Sequence, residues 1–322
     1  MGLNKRIQKD RSGVATIILA LIIIAVIGVS AAAAAIVLLN GGDENNENGN
    51  GGGAADKIWG PGTFLRYDQF DDNIKIGATE IRYLGQNADE SLVKVTVESE
   101  YSEYDFTVCS MIPKVGGSEF NVPEDAINKG KETIKTFEGN KKLDVFEYME
   151  ETMPAKAYID SAKGLLYKLI LGEEATEVIE LTAYDLKWQT SYTPSDAIGT
   201  IYNYGTPTAG YTATIEVVAD CPGGQYGIKY TVPLGPTPVE EYFVSANIRG
   251  LPIDAENTNK TETIGTIHGG KNIEIWTIPI GGSIVLNTNF LFYYEATSHY
   301  IYEIGIEYAG DTICLYSLKA MP

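Results

Sequence analysis

The chain repeats itself, and that repeat limits the available folds more than any other feature. Residues 132–141 read ETIKTFEGNK and residues 262–271 read ETIGTIHGGK, identical at six of ten positions. Leu143-Asp144-Val145 then stands against Ile273-Glu274-Ile275. Once three residues drop out of the second copy, Tyr158-Ile159-Asp160-Ser161 lies against Val285-Leu286-Asn287-Thr288, and Leu165-Leu166-Tyr167 against Phe292-Tyr293-Tyr294. The copies also open alike, at Gly62-Thr63-Phe64 and Gly199-Thr200-Ile201. Self-similarity at a fixed period reads as tandem copies of one unit, here 57–190 and 191–322, dividing near Ser191-Tyr192-Thr193-Pro194.

The period inside each copy is that of strands. Leu92 to Val97, Thr214 to Val217 and Ile273 to Trp276 alternate apolar with polar residues. Successive side chains of a strand point to opposite faces, so alternation predicts one buried and one wet face. Turn signals recur at Glu138-Gly139-Asn140, Cys221-Pro222-Gly223-Gly224, Gly269-Gly270 and Gly281-Gly282. Short strands punctuated this way predict a mainly β chain of two tandem antiparallel sandwich or half-barrel domains. One short helix is expected at 123–128, where Pro123-Glu124-Asp125 opens a turn.

Ahead of the repeat, Val14 to Leu39 runs for twenty-six residues without a charged side chain. About 20 apolar residues span a bilayer as a helix. Lys5, Arg6, Lys9 and Arg11 flank the run on one side only, which fixes that side in the cytoplasm. The reading is a cytoplasmic basic segment at 1–13, a transmembrane helix at 14–39, a flexible Gly/Asn/acidic linker at 40–56, and both β domains outside the cell. Ser30 to Ala35 could serve a signal peptidase, but Ile36-Val37-Leu38-Leu39 prolongs the apolar run past it, which favours a retained anchor.

The start of the anchor, Lys9-Asp10-Arg11-Ser12-Gly13 followed by Val14-Ala15-Thr16-Ile17-Ile18, resembles archaeal type IV pilin-like proteins. Ser12 stands where that family usually has a basic residue, and Ile18 where bacterial pilins have glutamate. The resemblance implies processing after Gly13, with Val14 as the new N-terminus and self-association through the helix. A second stretch, Ala157 to Leu169, is similar to a strand-turn-strand element of LolA-like lipoprotein carriers. That similarity implies a half-open sheet whose concave side takes lipid chains. Read as chemistry alone, Asp160 to Gly164 needs only a tight turn.

Net charge is −19, and the four basic groups and one acid of the first thirteen residues leave −22 on the rest. So acidic a surface repels nucleic acid and anionic lipid headgroups. Two histidines and three cysteines in 322 residues leave little material for metal sites or nucleophilic devices. Carboxylate pairs abound (Asp71-Asp72, Glu150-Glu151, Glu173-Glu174, Glu240-Glu241) and read as solvated turns and strand faces. Glu98, Glu100, Glu103 and Asp105 offer oxygen ligands of the kind calcium takes, without a defined calcium loop. His268 reads as a turn residue, and Phe290 to Tyr294 as core.

The sequence therefore predicts a non-enzymatic, single-pass surface protein with no metal and no cofactor. Its expected partners are the bilayer, through 14–39, and an extracellular protein or glycan. A pilin-like filament subunit and a carrier of hydrophobic ligands are the alternatives. Asn259-Lys260-Thr261 is the one N-glycosylation sequon. Cys221 and Cys314, in an early and the last strand of one copy, are the expected disulfide, with Cys109 a buried free thiol.

Overall fold

The structure, a computed structural model, describes residues 57–100, 106–114, 126–150, 153–172, 177–205, 212–234, 237–280, 288–308 and 310–320. The apolar run 14–39, the Gly13–Val14 processing position, the linker 40–56, Glu103 and Asp105 lie outside them. Among the described residues no helix is long and apolar enough to cross a membrane.

Almost every element is a strand. After β1 (Ile58–Trp59) come β2 (Phe64–Asp71), β3 (Ile74–Gln86), β4 (Glu90–Ser99), β5 (Phe106–Pro113), β6 (Ile127–Thr136), β7 (Gly139–Glu150), β8 (Met153–Asp160), β9 (Leu165–Leu171) and β10 (Glu177–Asp185). Antiparallel ladders give them the order β5-β4-β3-β2-β10-β9-β8-β7-β6. A two-residue strand β11 (Trp188–Gln189) returns to pair with β1. Next follow β12 (Ile201–Gly205), β13 (Thr212–Cys221), β14 (Gln225–Leu234), β15 (Thr237–Ser245), β16 (Glu256–Thr266), β17 (Gly269–Pro279), β18 (Thr288–Glu295), β19 (Tyr300–Tyr308) and β20 (Asp311–Ala320). Their ladders run β15-β14-β13-β12-β20-β19-β18-β17-β16, the same connectivity again. In each sheet the first and last strands pair: Phe64 meets Asp185, and Tyr204 meets Leu318.

Each sheet curls round its own core. Val93 and Val95 of β4 share a cluster with Leu143 and Val145 of β7, although five strands separate β4 from β7 in the ladder order. The second cluster draws likewise on β13, β14, β17, β18, β19 and β20. Among the described residues no ladder joins β5 to β6 or β15 to β16. The interiors are filled by large side chains: Trp59, Tyr67 and Tyr83 in the first, Tyr204, Tyr230, Phe290 and Phe292 in the second, all under 2% exposed or at that limit. Tyr230, Phe290 and Phe292 pack with centroids 5.3–6.1 Å apart, the two phenylalanines stacked and Tyr230 tilted against both, the spacing aromatic pairs favour.

The repeated segment folds as the same hairpin twice. Ile134 opposes Lys141 and Thr136 opposes Gly139, as Ile264 opposes Lys271 and Thr266 opposes Gly269. Gly139 and Gly269 take φ of 99° and 86°, which only glycine adopts cheaply. The hydroxyls of Thr136 and Thr266 each donate to the carbonyl of that glycine at 2.8 Å and accept the N–H of Glu138 and His268.

Three expectations are corrected. The register of the repeat slips beyond Val145 and Ile275: Leu165 to Tyr167 lie on β9, the counterpart of β19, whereas Phe292 to Tyr294 lie on β18, the counterpart of β8, because Asp144 opposes Ile159 as Glu274 opposes Tyr294. Residues 127–128 belong to strand β6, where a helix was expected. The Asn128 side chain accepts the Gly130 N–H at 2.7 Å, which sets a bulge that keeps the chain in register with β7. The Cys221–Cys314 bridge also fails. Cys221 is a free, buried thiol at the far end of β13. Ile201 of β12 opposes Glu216, while Gly205 opposes Ser317; continuing both ladders puts Cys221 and Cys314 beyond opposite ends of β12. At about 3.3 Å per residue they are far outside the 7 Å a disulfide allows. The side chain of Cys314 lies outside the described residues.

Candidate functional site

The two hairpin tips hold the densest polar–aromatic groupings. In the first, the β6–β7 turn bends over β9 and β10. Glu138 accepts hydrogen bonds from Tyr167 at 2.6 Å and Tyr184 at 3.2 Å and pairs with Lys141 at 2.6 Å. Lys163 donates to the Tyr184 hydroxyl at 2.8 Å. The Lys141 bond, then the Tyr167 bond, hold the Glu138 carboxyl below its ordinary value. Burial, with Glu138 close by, pushes the Tyr167 phenol up. Phe137 stacks on Tyr167 and meets the edge of Tyr184, with centroids at 6.4 and 6.0 Å, yet leaves 49% of its surface in solvent.

The second tip has the same backbone and different chemistry. Ile267 stands where Phe137 stands and is 48% exposed. His268 takes the place of Glu138 and lies against Tyr300 and Tyr302, at 6.5 and 5.9 Å. Arg249 covers the Tyr300 ring at 4.2 Å, and Lys271 pairs with Glu295 at 3.2 Å. His299 is also here, its Nδ1 2.5 Å from the Tyr294 hydroxyl. Under this tip is a recess of about 290 Å³ lined by Thr266, Ile267, Tyr302, Glu303 and Ser317. Burial raises the Glu303 carboxyl against the bond it accepts from Ser317. His268 is the turn residue its sequence context predicts, and both histidines also lie against tyrosines of β18 and β19, which nothing in the local sequence signals.

A second recess, about 540 Å³, opens across β6 to β9 of the first unit between Ile127, Tyr148, Met149, Pro154 and Ile170. Ile127 and Met149 are more than half exposed. It lies beside the segment that resembles the LolA-like element. That segment forms β8, a turn and β9, with the Lys163 N–H bonded to the Asp160 carbonyl at 3.0 Å and Gly164 at φ 63°.

The two sheets meet where β3, β4 and β5 face β13 and β15. Leu92, Ala219 and Cys221 form a small core there, with Leu84, Cys109, Met111, Tyr242 and Val244 packed on it. Asp220 and Gln86 bridge the sheets by their backbones. Tyr192, between the copies, donates to the Gln86 carbonyl at 2.9 Å and to Asp220 at 2.5 Å. A β-carbon on Gly85 would stand 2.5 Å from Cys221 Sγ and 2.6 Å from the Asp220 carbonyl, so glycine is what permits this approach. Burial pushes the thiols of Cys109 and Cys221 up to about 12.

The other sequence candidates are dispersed. Glu98 is held by Arg66 in a two-pronged contact at 2.5 and 2.9 Å, which depresses its carboxyl. Among the described residues no three His, Cys, Asp or Glu side chains gather as a metal site would require. Asn259 is exposed on β16 with φ 60°.

No protein family matches the sequence, and no curated protein does. The fold is similar to solved structures of MucB. One, in complex with MucA(peri), is 9% identical, covering 68% of this chain and 87% of that one at a TM-score of 0.30. MucB by itself is 13% identical over 70% and 89%, at 0.26. The Pseudomonas aeruginosa MucA/MucB complex is 10% identical over 81% and 88%, at 0.29.

Proposed function

We propose that this is a non-enzymatic surface protein, anchored through residues 14–39, that recognises a protein or glycan of the cell envelope through its two hairpin tips. One observation carries the reading. The same step of the same turn presents an apolar residue to solvent in both copies, Phe137 at 49% and Ile267 at 48% exposure. Leaving about half of such a side chain wet forgoes on the order of 1 kcal/mol of burial. Around each lies a set of phenols and charged groups held in place by a rigid sheet, the usual setting for recognition loops.

The test is photo-crosslinking in cells from a reactive residue placed at 137 or 267 of the full chain. Adducts to an envelope component that disappear in Phe137→Asp and Ile267→Asp proteins are expected. Adducts forming only from position 149, in the groove, would reject the tips. Protease added to intact cells should remove the chain beyond residue 40, and an N-terminus at Val14 would favour the filament alternative.

The carrier reading has one observation in its favour, the 540 Å³ groove. Both sheet interiors, where such a fold would hold a lipid chain, are occupied by the protein's own aromatic side chains. Titration with a fluorescent fatty acid separates the two, since a carrier binds it saturably and Met149→Glu abolishes that binding.

A further inference from the structure

β6 and β16 are the outermost strands of their sheets, each paired on one side only among the described residues. An edge strand with free N–H and C=O groups is a template for association, and charged side chains, lysine above all, are the usual guard. β6 carries Lys129, Lys131 and Lys135. β16 does not follow suit, although it bulges at the same place: Asn257 accepts the Asn259 N–H at 2.7 Å as Asn128 accepts that of Gly130. Asn259 and Gly130 both take positive φ, 60° and 89°. The second bulge is one residue longer, with three residues between Asn257 and Thr261 where two lie between Asn128 and Lys131; with Lys260 as the extra residue, the three lysine positions of β6 become Thr258, Thr261 and Gly265. β16 is left rich in threonine, a good strand former, and exposed on both faces along most of its length. Its one lysine, Lys260, is the middle residue of the sequon Asn259-Lys260-Thr261, and all three side chains are exposed.

We propose that Asn259 carries an N-linked glycan and that this glycan guards the β16 edge in place of the lysines of β6. The inference rests on the proposed display outside the cell, where exported chains meet a lipid-phosphate-activated oligosaccharide and its transferase. In the transfer, Asn259 Nδ2 bonds to the anomeric carbon of the sugar and gives up one proton. The bond from that carbon to the donor phosphate breaks, and the lipid phosphate leaves with the electron pair. Nothing is oxidised or reduced. The left-handed backbone at Asn259 lifts the side chain off the ladder at the bulge, so the folded sheet accommodates the sugar without losing a pairing.

The experiment uses the full chain recovered from its own cell envelope. Peptide mass spectrometry should find the Asn259 peptide heavier by a glycan, lost in Asn259→Gln and Thr261→Ala and kept in Thr261→Ser. In sedimentation velocity, Asn259→Gln should shift toward larger species than wild type, and adding Thr258→Lys should reverse the shift. Unmodified Asn259 in protein that external protease can reach overturns the inference and leaves the display reading standing. A glycan whose removal changes no sedimentation overturns the guarding role. Protein that protease cannot reach on intact cells overturns both.

Discussion

Gly85→Ala probes the junction between the two sheets. The new methyl group would stand 2.5 Å from Cys221 Sγ and 2.6 Å from the backbone carbonyl of Asp220. Carbon contacts settle at about 3.5–4.0 Å, so one sheet must retreat by about 1 Å. The carbonyl cannot turn aside as a side chain would, because Asp220 is held by its backbone bridge to Gln86, and its side chain accepts from Tyr192 and Ser195. Overpacking of this kind costs about 1–3 kcal/mol. Urea unfolding followed by tryptophan fluorescence reads it in both halves, since Trp59 lies in the first core and Trp276 packs on the second. The control is Gly265→Ala on β16, where a β-carbon meets nothing within 4 Å, expected within about 0.5 kcal/mol of wild type. Equal midpoints for the two variants would refute the argument that the sheets are locked together at Gly85.

Phe290→Ala, which empties a fully buried site against Tyr230, Phe243 and Phe292, should cost about 3–5 kcal/mol in a urea titration. Glu138 has its folded pKa depressed below the ordinary 4.5, chiefly by Lys141 and then Tyr167. Its contribution is therefore present above that value and is lost as pH falls through the folded pKa; the urea midpoint should drop less on acidification in Glu138→Gln than in wild type. Cys109 and Cys221, with thiols pushed up to about 12, should resist a thiol reagent at pH 8 in the native protein and react once it is unfolded; rapid native labelling of either would contradict the packed junction.

Much of the strand architecture was legible because it is local. Ile215 and Val217 are buried with Glu216 between them, and Ile273 and Ile275 with Glu274 between, as the alternation requires. Phe290 to Tyr294 are buried throughout, as read. The hairpin turns were visible through Gly139 and Gly269. What escaped is what the chain brings together from afar. Nothing near Gly85 announces that Cys221 lies over it. Nothing near His268 points to the tyrosines of β19. The bulges at Asn128 and Asn257 depend on a side chain bonding two residues on, which no apolar periodicity reveals. The expected disulfide failed for a related reason: pairing of β12 with both β13 and β20 made the strands neighbours but set the two cysteines at opposite ends.

In each sheet the opening strand lies hydrogen-bonded to the closing one, so a unit's entrance and exit are side by side. A stretch of chain with adjoining ends can be copied and inserted after itself without threading through anything already folded, which makes duplication topologically simple. It also sets a timetable. β2 has no partner on one side until β10 has been made, so the central ladder of the first sheet forms only near the end of that unit's synthesis, before the second unit has been made. Joining residue 189 to residue 58, which face each other across the β1–β11 pair, by a short linker and opening the chain at a hairpin tip should give a permuted unit that keeps Trp59 and the rest of its core.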